Sequence, residues 1–430
     1  MSAAGRPAGP PGLPRLLAGL GGTGATMTLA EHESVHGPFP SVGGEDLIEM
    51  VARSGLRGRG GADFPTATKL RAVAVAARRG GSVLVVNGSE TEPASAKDRL
   101  LLARLPHLVL DGASLAARTI GAREAVIKIG DGTPAVRRAL GAAVAARSGD
   151  PVKFQIATGP EGYVTGEETA VVHYLDRGVA KPTFVPPRPF ERGLRGRPTL
   201  IQNPETLSQI ALIARFGADW FRELGSDADP GSALVTISGA VANPGVYELA
   251  FGTPMTDLLA AAGGASEPLQ ALLVGGYFGT WVESSRAFGL RLAREDLRSV
   301  GCALGSGVLI ALGQSSCGLH ESARVIDYLA NQSAGQCGPC VHGLAAIADS
   351  VSALADGVAH QSERDRVLRW TAEIRGRGAC HHPDGAARFV ESALSVFSAE
   401  LDWHRRQRCT AAPAGLPLGA QASPRVGSAR

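Results

Sequence analysis

Short apolar runs, each followed by a glycine-containing polar loop and a helical pattern, constrain the fold of this chain most strongly. The first run covers residues 83–86 and stops at Asn87-Gly88, the second covers 125–129, and a third opens the segment FQIATGPEGYVTGEETAVVHYL. Helical patterns lie between them, over residues 99–120 and 134–147. Repeated β–loop–α units predict a mainly parallel α/β layer that extends to about residue 225.

Two further parts of the chain have a different character. Residues 232–315 contain two β-runs joined by an Asn-Pro-Gly turn, a short helix and another β-run, which predict a small α+β module. Residues 320–407 have helical periodicity and predict four helices. The predicted order is a flexible lead-in, the α/β domain, the small module, the helical domain and a disordered tail, at 1–40, 41–228, 229–318, 319–409 and 410–430.

The net charge and the number of cysteines restrict the binding partners and the cellular compartment to be expected. The net charge is +3, from 43 basic and 40 acidic residues, which argues against nucleic acid or an anionic membrane as a partner. Six cysteines in 430 residues do not suggest a secreted disulfide framework, so a reduced, cytoplasmic setting is expected. Prolines and glycines interrupt the N-terminal segment, and no apolar run approaches the ~18 residues of a membrane span. Membrane association is therefore expected only through partner subunits.

The loop SAGQCGPCVHGL, residues 333–344, is the strongest ligand signal from spacing alone. It carries Cys337 and Cys340, and Cys380 follows in a loop between two predicted helices. Thiolates suit iron, so the three cysteines are compatible with an iron–sulfur cluster. Zinc with an added histidine, or a loop with free thiols, would fit the same spacing.

Five separated motifs in one order resemble a known family. They are SGLRGRGGADFPTATK, NGSETEPASAKDR, GYVTGEETA, PTLIQNPETL and SAGQCGPCVHG with a later cysteine. Together they resemble the NADH-binding flavoprotein subunit of respiratory complex I and the diaphorase subunits of NAD-linked hydrogenases and formate dehydrogenases. The resemblance covers roughly residues 45–405. It implies an α/β FMN-binding domain, a small α+β module of the SLBB β-grasp type, and a C-terminal four-helix iron–sulfur bundle.

The resemblance also implies which residues contact FMN. They are Gly58, Arg59, Gly60, Gly61, Lys69, Asn87, Glu90, Tyr163, Gly166, Glu167, Glu168, Asn203 and Thr206. Read alone, the glycine-rich loop is equally typical of a solvated basic turn, and the two adjacent glutamates would equally complement a helix dipole. No general acid or base is expected, because hydride passes directly from nicotinamide to flavin.

The predicted nucleotide-binding residues are Phe64, Glu92 and Arg188, and they lie where the chain departs most from the family pattern. The departing positions are Asp63, Ala67, Ser89, Thr91, Ala96, Val185 and Arg188. FMN binding is expected to be kept, whereas NADH binding is expected to be weakened, shifted toward NADPH, or lost. Arg188 is expected to compensate for a missing aromatic residue by stacking or by pairing with a phosphate.

Ala334 stands where family members have the first of four cluster cysteines. The resemblance implies Cys337, Cys340 and Cys380 as ligands of a [4Fe–4S] or [3Fe–4S] cluster. Six residues are candidates for a further ligand: Ser333, Gln336, His342, His381, His382 and Cys409. His381 and His382 are the favoured candidates, and Cys409 is disfavoured because a helix of roughly 22 residues is expected before it. Cys302, Cys317 and His404 are expected to have no ligand role.

The expected function is an electron-transfer subunit. It would oxidise NAD(P)H through FMN, pass single electrons to the cluster, and deliver them to an iron–sulfur or ferredoxin-like partner or a quinone-reducing complex. A rival interpretation is a non-catalytic or ferredoxin-linked flavin- and cluster-binding subunit with a degenerate NADH pocket.

Overall fold

A parallel sheet forms the centre of the first part of the chain, in a computed structural model that describes residues 9, 11–21, 24–77, 81–409, 411 and 414–418. Its strands are Val83–Gly88 (β1), Glu124–Gly130 (β2), Lys153–Gly159 (β3) and Thr199–Gln202 (β4). They lie in the order β3-β2-β1-β4 with every pairing parallel, as predicted. The buried strand β4 was not predicted. Parallel pairing places the glycine-containing loops after β1, β2 and β3 at one edge of the sheet.

Helices cover this sheet and connect its strands. They are Leu29–His36 (α1), Gly44–Ser54 (α2), Thr66–Ala77 (α3), Lys97–Arg104 (α4), Pro106–Thr119 (α5), Pro134–Ala145 (α6), Glu168–Arg177 (α7), Pro189–Arg192 (α8), Pro204–Phe216 (α9) and Ala218–Arg222 (α10). A single 3₁₀ turn, Leu194–Gly196, precedes β4. Almost all of α5 and α9 is buried, and the two helices pack together beside the sheet.

The prediction of one helix over residues 99–120 was wrong. The segment forms α4 and α5, which meet at an angle of 95°. Leu105 leaves the helical region at φ −126° and ψ 43°, and Pro106 begins the next helix because its ring nitrogen has no hydrogen to donate. Among the described residues no single helix is long and apolar enough to cross a membrane, although this bent pair meets the length and composition criteria jointly.

The described residues of the predicted flexible lead-in are ordered against the rest of the chain. Glu248 accepts hydrogen bonds from the backbone N–H groups of Arg15 (2.7 Å) and Leu17 (3.1 Å). The Arg15 guanidinium lies 3.9 Å from the Trp220 ring centroid. Helix α1 begins with a capping box formed by Thr28 and Glu31. The prediction was therefore wrong here, because long-range contacts hold a segment that lacks local periodicity.

The second part is an α+β module with a five-stranded sheet. Its strands are Ser232–Gly239 (β5), Gly245–Ala250 (β6), Leu269–Val274 (β7), Thr280–Glu283 (β8) and Val308–Gly313 (β9). Its helices are Met255–Ala261 (α11), Ser284–Ala287 (α12) and Arg294–Ser299 (α13). The strand order is β6-β5-β9-β7-β8. Strand β9, which was not predicted, lies at the centre and pairs parallel with β5 and antiparallel with β7.

The third part is helical, as predicted, but contains one helix more than expected. Its helices are Gly318–Asn331 (α14), Ala345–Ala355 (α15), Glu363–Ile374 (α16), His382–Val396 (α17) and Ser398–Arg405 (α18), with a π-helical turn at Pro339–Leu344. The expected continuous last helix breaks at Phe397, whose buried ring packs against Trp281 at 5.2 Å between centroids. Most of the predicted disordered tail lies outside the described residues. Its segment 414–418 contacts the body of the protein.

Candidate functional site

The glycine-rich loop lies on the N-terminus of α9. Gly58 N–H donates to the Phe64 carbonyl at 2.8 Å, which closes the loop on itself. The Arg59 backbone N–H donates to Thr206 Oγ1 at 2.9 Å. A Cβ on Gly60 would lie 3.4 Å from the Cβ of Asn203, so the loop approaches this helix closely. Glycine backbone and a helix N-terminus together form a surface suited to phosphate.

The glycine-rich loop thus lies beside Asn203 and Thr206, the other residues predicted to contact FMN from α9. The Arg59 side chain, however, turns away from the loop. Its guanidinium lies 3.8 Å from Glu205, donates to the Ser232 carbonyl at 3.2 Å, and stacks 4.6 Å from the Phe251 ring centroid. Burial lowers the pKa of this guanidinium, although Glu205 opposes that shift. Arg59 therefore joins the α/β part to the SLBB-like module with its side chain.

Lys97 is a buried cation that was not predicted as a site residue. Its Nζ lies 2.9 Å from both Asp98 and Glu205 and donates to Asn203 Oδ1 at 3.3 Å. Burial opposes its charge, but these two carboxylates raise the pKa of Lys97 above its usual value. The lysine therefore fixes the Asn203 side chain below the glycine loop. The sequence signal that could have identified Lys97 was the motif NGSETEPASAKDR, which ends in Lys97-Asp98-Arg99.

The loop after β1 contacts the loop that precedes α7. Asn87 Nδ2 donates to the Gly166 carbonyl at 2.8 Å. A Cβ on Gly166 would lie 2.8 Å from the Thr91 Cγ2 atom, so only glycine fits beside that loop. Lys69, on α3, pairs with Glu168. These contacts bring the predicted residues Lys69, Asn87, Gly166 and Glu168 together.

Two of the predicted carboxylates have structural partners. Glu167 caps α7 by accepting from the backbone N–H groups of Thr169 (2.9 Å) and Ala170 (3.0 Å), the helix-start role that its position also suggested. Glu90 is buried and accepts from Ser95 Oγ (2.7 Å) and from the N–H groups that begin α4. Both of its oxygens are already hydrogen-bonded within the protein.

Glu92 lies where the three parts of the chain meet. Its Oε2 accepts from the Tyr163 hydroxyl and from the Tyr277 backbone N–H, both at 2.8 Å. Burial raises the pKa of Glu92 to about 7, although these hydrogen bonds lower it. Tyr163 N–H in turn donates to Oε1 of Gln332, in the loop after α14, at 3.1 Å. Tyr277 and Gln332 were not predicted as site residues.

A cavity opens beside this junction, at the carboxyl edge of the parallel sheet. It measures about 760 Å³ including its mouth, and Glu90, Glu92 and Lys128 line it. Lys128 Nζ and Ser89 Oγ are buried without hydrogen-bond partners among the described residues. Burial lowers the pKa of Lys128 to about 8. A ligand rich in acceptors, such as a flavin or a phosphate ester, satisfies both groups, so this wall fits FMN.

Lys128 was not predicted as a site residue either, although a lysine inside the apolar run of β2 is an unusual residue.

A second cavity, about 1020 Å³ including its mouth, lies under the glycine-rich loop and is lined by Gly58, Gly61, Asp63 and Lys97. The predicted nucleotide residues Phe64 and Arg188 are exposed and line neither cavity. Glu92 is the only one of the three at a cavity wall in the described structure.

The cluster loop follows α14 and continues into the π-helical turn. Cys340 N–H donates to the Cys337 carbonyl at 3.1 Å. Burial, with Cys337 and Cys380 nearby, raises the pKa of the Cys340 thiol to about 12. Burial also raises the pKa of Cys380, to which Glu167 and Cys337 contribute. The three predicted ligands therefore lie close enough together to influence one another, beside Glu167.

The candidate further ligands are distributed unevenly around this loop. His381 is 98% exposed and lies 3.3 Å from Asp384. His382 is buried, its Nε2 lies 2.8 Å from the Leu329 carbonyl, and its Nδ1 has no partner among the described residues. Cys409 lies near Cys317 and His404. The break at Phe397 invalidates the expected helix of 22 residues and changes where the chain end lies.

Comparisons with known proteins agree with this arrangement. Three family models match in succession: the Nuo51 FMN-binding domain over residues 51–212, the SLBB domain over 234–276, and the NADH-ubiquinone oxidoreductase-F iron-sulfur binding region over 320–404. The NADH-quinone oxidoreductase F subunit numbered 2 of Rhizobium meliloti (strain 1021) is 33% identical over 380 residues, which cover 85% of this chain and 90% of that protein. The chain belongs to the family of NADH-quinone oxidoreductase F subunits.

Other members and a solved structure extend the comparison. The F subunit of Mycobacterium tuberculosis (strain ATCC 25618 / H37Rv) NADH-quinone oxidoreductase is 33% identical and matches 84% of each chain. The NAD+-reducing [NiFe]-hydrogenase in its air-oxidized state shares the fold with a TM-score of 0.78 and 31% identity, over 84% of this chain and 62% of that one. The predicted family, the fold class, and the FMN and iron–sulfur regions of an NADH-oxidising electron-transfer protein are confirmed.

Proposed function

We propose that this F subunit oxidises NADH at an FMN site and passes single electrons through one iron–sulfur cluster to a partner subunit. The observation that carries the proposal is the contact between the two regions. Tyr163, in the predicted flavin loop, donates its N–H to Gln332, five residues before the first cluster cysteine. Bound FMN would supply the step from a hydride to single electrons.

The residues would divide the binding of FMN between them. We assign the binding of the FMN phosphate to the backbone of Gly58, Gly60 and Gly61 together with Thr206. Asn203 and Lys97 would hold this loop in place. We assign the flavin end to the surface formed by Asn87, Glu90, Tyr163, Gly166, Glu167 and Glu168, with Lys69 and the unpaired Lys128 supplying positive charge. Arg59 contributes backbone only.

For the cluster we assign Cys337, Cys340 and Cys380 as ligands. Ala334 cannot bind iron, so either a [3Fe–4S] cluster or a [4Fe–4S] cluster with one non-cysteine ligand follows. His382 is the buried side chain with a free ring nitrogen nearest in sequence to Cys380.

For the nucleotide we assign Phe64, Glu92 and Arg188. A second candidate function, a ferredoxin-linked subunit without NADH oxidation, draws on the geometry of Asp63. This residue has a positive φ of 48° where the family has glycine, and it pairs with Arg57 at 2.9 Å. The carboxylate thus neutralises Arg57, a cation of the same loop that would otherwise attract an anionic dinucleotide.

The remaining assignments concern the setting of the protein. We propose domains at 41–228, 229–318 and 319–409, a cytoplasmic location, and peripheral membrane contact only through other subunits. The relatives are named as subunits of larger oxidoreductases. An iron–sulfur or ferredoxin-like subunit is the partner that a single-electron donor requires.

Anaerobic titration of the FMN-loaded protein tests the proposal. We expect NADH to bleach the flavin absorbance, and the same titration with NADPH tests the shift toward NADPH that the departures from the family pattern predict. Bleaching only by reduced ferredoxin would instead support the second candidate function. An Asp63→Gly variant is the matched probe, because removal of this carboxylate should lower the NADH concentration needed for half-reduction. If neither nucleotide bleaches either variant, NADH oxidation is rejected.

A further inference from the structure

Cys317, His404 and Cys409 form a second group of metal-ligand side chains, separate from the cluster loop. One ligand atom from each lies within 4.8 Å of the other two. Cys317 and His404 are buried, and Cys409 is half-buried. Cys317 precedes the first residue of α14, whereas the cluster loop follows its last residue. A helix of 14 residues is about 21 Å long, so the two groups lie at opposite ends of α14.

We propose that these three residues bind a zinc ion. Two thiolates and one imidazole are a characteristic donor set for zinc, and two thiolates also balance its charge inside the protein. In a tetrahedral zinc site, a sulfur and a nitrogen ligand are separated by about 3.6 Å, given bond lengths near 2.3 and 2.0–2.1 Å. Cys317 Sγ and His404 Nε2 lie 3.1 Å apart, so a small outward shift admits the ion.

The ring of His404 is oriented for coordination. Its Nδ1 bonds to the carbonyl oxygen of Ala355, so Nδ1 carries the hydrogen and Nε2 has a free lone pair facing Cys317. A backbone carbonyl that fixes the histidine tautomer in this way is typical of zinc sites. A water molecule would take the fourth position, because the Glu400 carboxylate already accepts from the backbone N–H groups of Gly318 (3.3 Å) and Leu319 (2.9 Å).

A hydrogen-bonded thiol is the simpler alternative, but it does not account for Cys409. A Cys317 thiol that donates to Glu400 or His404 needs no third ligand residue. Cys409 is brought back to this place by a turn in which Gln407 adopts φ 51°, a left-handed conformation that is strained for a non-glycine residue. The convergence of a second sulfur on the same point favours metal binding.

The site would fasten the C-terminal end of the chain to the junction between β9 and α14. After Cys409 the chain passes Glu321, which accepts from the N–H groups of Gly415 (3.1 Å) and Leu416 (2.9 Å). It then reaches the flavin-side cavity, where Leu418 forms part of the wall. Zinc would therefore hold this segment at the rim of the cavity.

Metal analysis of the full-length chain, purified without chelators under reducing conditions, tests the proposal. We expect about one zinc ion per chain in addition to iron and acid-labile sulfide. Cys409→Ser should lose the zinc and keep iron and sulfide. Cys380→Ser should lose iron and keep the zinc. Cys302→Ser, a buried cysteine outside both groups, is the matched control and should keep all three.

A second measurement does not depend on the folding of a variant. Cobalt added to zinc-depleted wild-type protein should produce tetrahedral d–d bands and a thiolate charge-transfer band. The proposal is overturned by a protein without zinc that gives no such bands. It is also overturned if zinc disappears in Cys380→Ser but persists in Cys409→Ser, or if peptide mapping finds a Cys317–Cys409 disulfide in the reduced preparation.

Discussion

Glu92→Gln separates the buried charge at the domain junction from the hydrogen bonds that surround it. The carboxyl group is 6% exposed and accepts from Tyr163, Tyr277 and the Ala94 N–H (3.3 Å). Glutamine retains a carbonyl acceptor of the same shape but carries no charge at any pH. The two proteins should therefore differ in how stability depends on pH.

The magnitude follows from the pKa of Glu92, which is 4.5 in the unfolded chain and about 7 in the native protein. Below pH 4.5 both states hold the proton. Between pH 4.5 and about 7 the native protein keeps the proton while the unfolded chain releases it, so native stability falls as pH rises. The total loss is about 3 kcal/mol, complete above about pH 7. The glutamine variant lacks this contribution.

We expect the stability of Glu92→Gln relative to wild type to rise by about 3 kcal/mol between about pH 4.5 and about pH 8. A loss of stability that is the same at every pH, such as that from the glutamine amide facing the Ala94 N–H, shifts the whole curve of stability against pH without changing its slope. Urea unfolding at closely spaced pH values measures the difference. Glu283→Gln, an exposed residue at the end of β8, is the control and should follow wild type.

A constant difference between Glu92→Gln and wild type across this range would refute the reasoning. It would mean that the carboxylate is ionised in the native protein at about pH 5, and that Tyr163 and Tyr277 compensate fully for its burial. A parallel slope in Glu283→Gln would show instead that another group titrates. Flavin content should be measured at each pH, because bound FMN adds its own stabilisation.

Three further outcomes follow from the packing and the ligand set. Gly112→Ala should destabilise the chain by at least about 3 kcal/mol in urea unfolding, because the added methyl group overlaps a backbone carbonyl of α9. Gly141→Ala is the control: it lies on an open helix face and should stabilise the chain by about 0.5–1 kcal/mol. Asp111→Asn should lower the free energy of unfolding by about 3–5 kcal/mol, because Asp111 is buried with His32 (2.8 Å) and two arginines. Equal stability of variant and wild type at about pH 7 would contradict this. Ala334→Cys should raise iron content toward about four atoms per chain and alter the EPR spectrum of reduced protein; unchanged iron and spectrum would show that position 334 does not face the cluster.

Local patterns predicted the parallel layer, because a buried β-run that stops at a glycine-containing loop carries its own start and end signals. Strands β1 and β2 follow that pattern, and β3, which is mostly half-buried or exposed, shares only the glycine-containing loop. The pattern fails at β4 and β9. Strand β4 has only four residues, and β9 is an apolar run whose role is set by its two neighbours in the sheet. Periodicity alone does not distinguish either strand from a short buried helix segment.

Helix ends were harder to predict where tertiary contacts determine them. Pro106 marks the bend between α4 and α5 in the sequence, and that signal was available. Phe397 carries no such signal. Its break from α17 depends on the packing of its ring against Trp281, and a Cβ on Gly318 would collide with the same ring. The position of Cys409 depends on this break, so its neighbours could not be found from spacing.

The motifs located the site well, but they did not separate contact with a ligand from support of the fold. Glu90 and Glu167 belong to predicted flavin motifs, yet their oxygens cap helices. Lys128 and Gln332 have no motif, yet one is an unpaired buried cation and the other joins the two cofactor regions in the described structure. The caps formed by Glu90 and Glu167 are local, whereas the bond between Tyr163 and Gln332 joins residues 169 positions apart, and a single sequence does not reveal such a contact.

The contacts of Tyr163 join the FMN-binding and iron–sulfur regions, although these lie in different parts of the chain. Its N–H bonds to Gln332 of the helical part, and its hydroxyl bonds to Glu92, which also accepts from Tyr277 of the SLBB-like module. Electron transfer from a flavin to a cluster requires a fixed separation, and two loops alone would not fix it. A buried residue hydrogen-bonded to both sides links the two regions, and burial raises the pKa of the glutamate between the two tyrosines to about 7.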